Sequence, residues 1–221
     1  MKKKLLFLPL IGLLLTGCSL EDLMFWKKSD EQSQKDTPKG EEGGEGEHVD
    51  PPVIEDEYTA TIQTSGSSFE AQFPGGSHFD TEQKQTALKT NLSSQLEYPS
   101  LIKSISCTNL HSQTYSDVTY MQFGSGNGIG SFALQSDTKI YKVSVKVLCY
   151  AKYDSYHEIY NIDFWSHFLI NDQDNDMTYD GETQPSVMTF EKTFASGTNT
   201  INLSSKDGRV FLKEMTITWG N

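Results

Sequence analysis

The sequence predicts an all-β domain, a two-sheet sandwich with one N-terminal helix, preceded by a disordered tether. Three observations predict it. About eight short runs rich in β-branched and aromatic residues fill the chain beyond residue 100. Clusters of Gly, Asn, Asp and Ser separate them at sandwich-like spacing. Only one segment before them carries a helical period.

In chain order, Lys2, Lys3 and Lys4 form a basic start, and Leu5 to Leu15 form an apolar run too short to span a bilayer as a stable helix. Leu15-Thr16-Gly17-Cys18 follows, with small residues before the cysteine. This resembles a bacterial lipoprotein signal peptide with its lipobox. The resemblance implies removal of residues 1–17, a diacylglycerol on the Cys18 sulfur, and a mature protein held by lipid on the extracytoplasmic face of the cell membrane. Residues 18–57 then read as the lipidated cysteine and an acidic flexible tether. From 19 to 57 there are thirteen Asp and Glu against four Lys, with Gly-Glu-Glu-Gly-Gly-Glu-Gly-Glu at 40–47. Such a segment has too little apolar surface to offset the entropy of ordering it. Leu23-Met24-Phe25-Trp26 is the apolar exception and suits a membrane interface.

Residues 58–221 are the expected folded domain, one core's worth of chain. Asp80 is placed to cap a helix over 80–96, with Gln83 three residues on and Ala87, Leu88, Leu92 and Leu96 along one face until Pro99 ends the pattern. The strands expected are Leu101 to Cys107, Thr119 to Phe123, Ser131 to Leu134, Ile140 to Tyr150, Asn161 to Ile170, Val187 to Phe194, Thr200 to Leu203 and Arg209 to Trp219. Turns are expected at Gly124 to Gly128, Ser136-Asp137, Asn171 to Gly181, Ser196 to Asn199 and Lys206 to Gly208. In the last strand Val210 and Leu212 share one phase, while Met215, Ile217 and Trp219 share the other. A bulge near Lys213-Glu214 reconciles them.

The succession Met121-Gln-Phe-Gly-Ser-Gly-Asn-Gly-Ile-Gly-Ser-Phe-Ala-Leu134, Ile140 to Val147, Thr200 to Leu203 and Arg209 to Trp219 resembles a β-sandwich module of surface and secreted proteins in low-GC Gram-positive bacteria. Such modules are similar to galactose-binding-like jelly rolls. The resemblance covers roughly residues 101–221 and implies a jelly-roll-like accessory, non-catalytic domain, without catalytic residues to carry over.

The net charge is −12, and Arg209 is the single arginine of the domain, so no basic stripe exists to neutralise nucleic-acid phosphates. No Gly-x-Ser-x-Gly, His-Glu-x-x-His or Walker spacing occurs, which speaks against an enzyme. Two ligand chemistries stand out. Asp172, Asp174 and Asp176 alternate, with Asp180 beyond, as calcium ligation needs; Met177 and Thr183 occupy the positions where an EF-hand has glycine and glutamate, and a solvated acidic hairpin explains the carboxylates equally. Tyr153, Tyr156, Tyr160 and Trp165 crowd one stretch beside Asp and Asn, as a sugar platform would, although core packing accounts for some of them. The reading is therefore a binding module for glycan, or alternatively a protein-interaction or structural module of the envelope. Cys107 and Cys149 both fall in apolar phase; they are either a disulfide or two buried free thiols.

Overall fold

A computed structural model describes residues 57–125, 128–162, 167–177, 185–206 and 208–220. The expected lipobox, Cys18 and the tether lie outside the described residues. Strand β1 (Tyr58–Gln63) leads into helices α1 (Ser67–Gln72) and α2 (Glu82–Ser93) and a single 3-10 turn at Pro99–Leu101. Then come β2 (Ser104–Thr108), β3 (Leu110–Tyr115), β4 (Val118–Phe123), β5 (Ser131–Cys149), β6 (Ala151–Asp154), β7 (Ile159–Ile162), β8 (His167–Ile170), β9 (Gln173–Asp176), β10 (Met188–Ser205) and β11 (Val210–Gly220).

All pairings are antiparallel, and the all-β expectation holds. The two layers are nevertheless one sheet. Its order is β3-β4-β11-β5-β10-β8-β9, with β1 also on β11 and β2 also on β5, while β6 and β7 form a separate hairpin. The long strands serve both layers. Residues 131–135 of β5 pair with β2 and with the end of β10, whereas residues 142–147 pair with β11 and with the start of β10. The expected turns at Ser136-Asp137 and Ser196 to Asn199 are instead the corner where β5 and β10 bend without ending. Polar residues supply the bonds that an irregular ladder leaves open: Asn199 Nδ2 donates to the Ser136 and Asp137 carbonyls, and Ser136 Oγ accepts from the Thr138 amide.

Bulges keep the apolar faces inward through the bend. In β11, Leu212 lies opposite Val147 and Glu214 opposite Lys146, so Lys213 is the extra residue, as the phase change predicts. In β5, Lys142 lies opposite Thr218 and Ile140 opposite Trp219, leaving Tyr141 unpaired. One inserted residue moves the buried set from even positions (Phe132, Leu134, Ile140) to odd ones (Val143, Val145, Val147, Cys149). The two layers close on each other through Phe123 of β4 and Phe168 of β8, both fully buried, whose rings meet edge to face at 5.2 Å.

The helix is α2, shorter than expected, and its cap is Thr81 rather than Asp80: Thr81 Oγ1 accepts from the Lys84 amide at 3.4 Å. Leu88 and Leu92 are fully buried as expected, but Ala87 faces water. Gln95, just past the helix, covers the open edge of β1 by accepting from the Gln63 amide and donating to the Gln63 carbonyl. Cys107 and Cys149 are unbridged, Cys107 half-buried and Cys149 buried. Cys107 lies opposite Phe132 near the start of β5 and Cys149 ends that strand, so the register holds them apart. Burial raises their pKa values to about 12 and about 11, which keeps both protonated and unreactive at neutral pH.

Candidate functional site

The face of β3, β4, β11 and β5 turned away from the main core carries one row of four residues in register: His111, Gln122, Phe211 and Leu148. All are buried, with Phe211 fully so. Their cover is aromatic. Tyr115 lies flat on Phe211, with ring centroids 5.0 Å apart and an interplanar angle of 16°, and Tyr120 and Tyr150 stand at 5.5 and 6.1 Å from the same ring. The Arg209 guanidinium lies 3.5 Å over the Tyr150 ring, a stacking that favours its delocalised charge. The sequence reading missed this second small core. Its signal is the unbroken Val210-Phe211-Leu212, because a strand buried on one face only would alternate.

The β6–β7 hairpin leaves the sheet at this place, tied down by Tyr115 Oη donating to the Ala151 carbonyl at 2.9 Å. Tyr153 and Tyr160 lie opposite each other in its register. Tyr156 is in the turn that joins the strands and is 88% exposed, with its ring edge-on to His157 at 4.8 Å. Three of the four residues singled out for stacking therefore share one hairpin. Trp165 lies outside the described residues.

The acidic run takes another form. Asn171 and Asp172 have positive φ values of 43° and 65°, which makes them the central residues of the tight β8–β9 hairpin turn. Asp174 on β9 accepts from Lys206 Nζ at 3.0 Å and pairs with His167 Nδ1 at 2.7 Å. Lys206, then His167, hold its carboxyl below the ordinary carboxylate range. A calcium ion on Asp172, Asp174 and Asp176 requires both Lys206 and His167 to release Asp174; Asp180 lies outside the described residues.

His111 has a pH consequence of its own. Burial, then the neighbouring His78 and Arg209, lower its pKa from the ordinary 6.5, so the fold favours the neutral ring. The unfolded chain then takes up the proton first as pH falls. Stability from this group is present above about pH 6.5 and lost below it. The melting temperature should fall between pH 7 and pH 5 and the fall should be shallower in His111→Gln, a slope separate from the loss below pH 4.5 that the depressed Glu214 brings. Equal slopes in wild type and variant would contradict this assignment.

No protein-family model matches the chain, and comparison with curated proteins found no match. Among solved structures, the chain is similar to the CBM36-1 domain of a multidomain xylanase from the hindgut metagenome of Trinervitermes trinervoides, with a TM-score of 0.31 and 12% identity over 54% of this chain and 93% of that one. A similarity of that size bears on neither ligand nor site.

Proposed function

We propose that this chain is a lipid-anchored extracytoplasmic lipoprotein whose β-domain is a non-catalytic glycan-binding module, with the β6–β7 hairpin as its stacking surface. The observation that supports this most directly is Tyr156, a large aromatic ring 88% exposed at the tip of a hairpin whose strands set Tyr153 against Tyr160. An exposed ring offers the apolar face that a pyranose ring stacks on, and the neighbouring oxygen-bearing side chains suit its hydroxyls. Affinity per site should be weak, and many anchored copies compensate by multivalency.

The anchor reading rests on Leu15 to Cys18. No helix among the described residues is long and apolar enough to cross a membrane. Intact mass spectrometry of the membrane fraction should find cleavage before Cys18 and a diacylglyceryl addition, both lost in Cys18→Ala; an unmodified soluble wild type would contradict the reading. For the ligand, multimerised protein on a glycan array should bind a polysaccharide or envelope glycan. Binding should drop about tenfold or more when Tyr153, Tyr156, Tyr160 and Trp165 are replaced together by alanine, as loss of several stacking rings implies. Unchanged binding in that variant would reject the hairpin, and silence on every glycan with cross-linking to one envelope protein would establish a protein-interaction module instead.

A further inference from the structure

His78 and His111 form an antiparallel bridge between the segment before α2 and the edge of β3. The bonds on either side of them, from the Phe79 amide to the Leu110 carbonyl and from the Ser112 amide to the Ser77 carbonyl, make this a non-hydrogen-bonded pair, the arrangement that brings facing side chains closest. The two rings have centroids 5.2 Å apart at an interplanar angle of 46°. An imidazole bonded to zinc at 2.0–2.1 Å has its centroid about 3.2 Å from the metal, so two such rings at a tetrahedral angle stand about 5 Å apart. The observed spacing matches that figure.

His111 also has a vacant valence. It is only 7% exposed, its Nε2 meets Gln122 Nε2 at 2.6 Å, and its buried Nδ1 has no hydrogen-bond partner. The three side chains lie in one row across neighbouring backbones, Gln122 on one side of His111 and His78 on the other. The two nitrogens of an imidazole point roughly opposite ways, so with Nε2 on Gln122 the Nδ1 atom falls on the side of the ring away from Gln122, where the row continues to His78. We propose that His78 and His111 together bind a divalent transition-metal ion, a site independent of the glycan reading.

Imidazole nitrogens suit zinc, copper(II) or nickel, and because no three His, Cys, Asp or Glu side chains among the described residues gather for a metal, the protein supplies only these two ligands and the other positions would be left to water. In the metal-free protein the Gln122 amide donates both to His111 Nε2 and to the Gly124 carbonyl, so the ring proton sits on Nδ1. Ligation at Nδ1 moves that proton to Nε2. The Gln122 Oε1 atom, buried and without a partner, accepts it once the amide turns, giving the metal-bound ring the outer hydrogen bond such rings use, in exchange for the Gly124 contact. The charge of Arg209, felt at His111, opposes the cation and limits affinity.

The test is calorimetric titration of zinc chloride into the full chain, in detergent and stripped with chelator, alongside His78→Ala and His167→Ala. His78 is exposed, so its removal leaves the core intact. One zinc per chain should bind to wild type and to His167→Ala, and affinity should fall about tenfold or more in His78→Ala. Copper(II) bound to wild type should show two nitrogen couplings in its electron paramagnetic resonance spectrum, and one in His78→Ala. Absence of zinc binding by wild type, or equal affinity in His78→Ala, would overturn the proposal.

Discussion

Phe168→Ala is expected to destabilise the protein by about 3–5 kcal/mol, near the top of the range for a buried phenylalanine. Phe168 is fully buried on β8, in the layer that holds the start of β5 and the end of β10, and it meets Phe123 of the other layer edge to face. Truncation removes the apolar burial of one ring, leaves Phe123 without its aromatic partner, and opens a cavity between two strands held by ladders on both sides, which limits collapse. The midpoint of thermal unfolding should drop by about 10 °C for a domain of this size. Leu169, next in sequence but on the other side of the strand and half-buried, should cost far less when replaced by alanine. Circular-dichroism melts of the two variants check this, and equal losses would mean that β8 does not close the core.

Gly130→Ala should come next, at about 3 kcal/mol, and for a reason unrelated to φ. A Cβ at this position would run into the Gly124 amide nitrogen and stand 2.7 Å from the Phe123 Cα. These are backbone atoms of β4 and its exit, so no side-chain rotation relieves the overlap. The strand cannot retreat freely, because the Gly130 amide donates to Ser205 Oγ and its carbonyl accepts from the Ser205 amide, both at 3.0 Å. Gly76→Ala is the useful contrast, since a Cβ there meets nothing within 4 Å and only its positive φ of 92° is strained. Denaturant melts should place Gly130→Ala well below Gly76→Ala; the reverse order would contradict the close approach.

The glycine-rich run shows what was legible in the sequence and what was not. Its reading as a turn is sound, for the Gly128 amide donates to the Ser125 carbonyl, but that Gly130 must be glycine follows only from its close approach to the backbone of Phe123 and Gly124 at the end of β4. The same division recurs elsewhere. The Lys213 bulge was legible because the apolar phase reverses within one strand, and it reappears in the register. The β5 and β10 corners were not, because Ser136-Asp137 and Ser196-Gly197 have turn chemistry and only tertiary pairing keeps the chain extended there. Strand β3, with His111, Ser112, Gln113 and Thr114, is too polar to show a strand pattern, and its burial comes from the layers laid against it. For the site, the aromatic crowding at 150–165 was legible but not which ring faces water, since both strand phases there are apolar, and Tyr156 stands out only in the structure; the row His111-Gln122-Phe211-Leu148 needs four strands to become neighbours.

Sugar binding by the β6–β7 hairpin through its tyrosines is open to one measurement at residue level, resonance-by-resonance nuclear magnetic resonance titration with the strongest array glycan. Shifts should concentrate in residues 150–162, largest around Tyr153, Tyr156 and Tyr160, and Tyr156→Ala should weaken the titration without altering the fold. Shifts centred on any other surface, or undiminished binding by Tyr156→Ala, would contradict it.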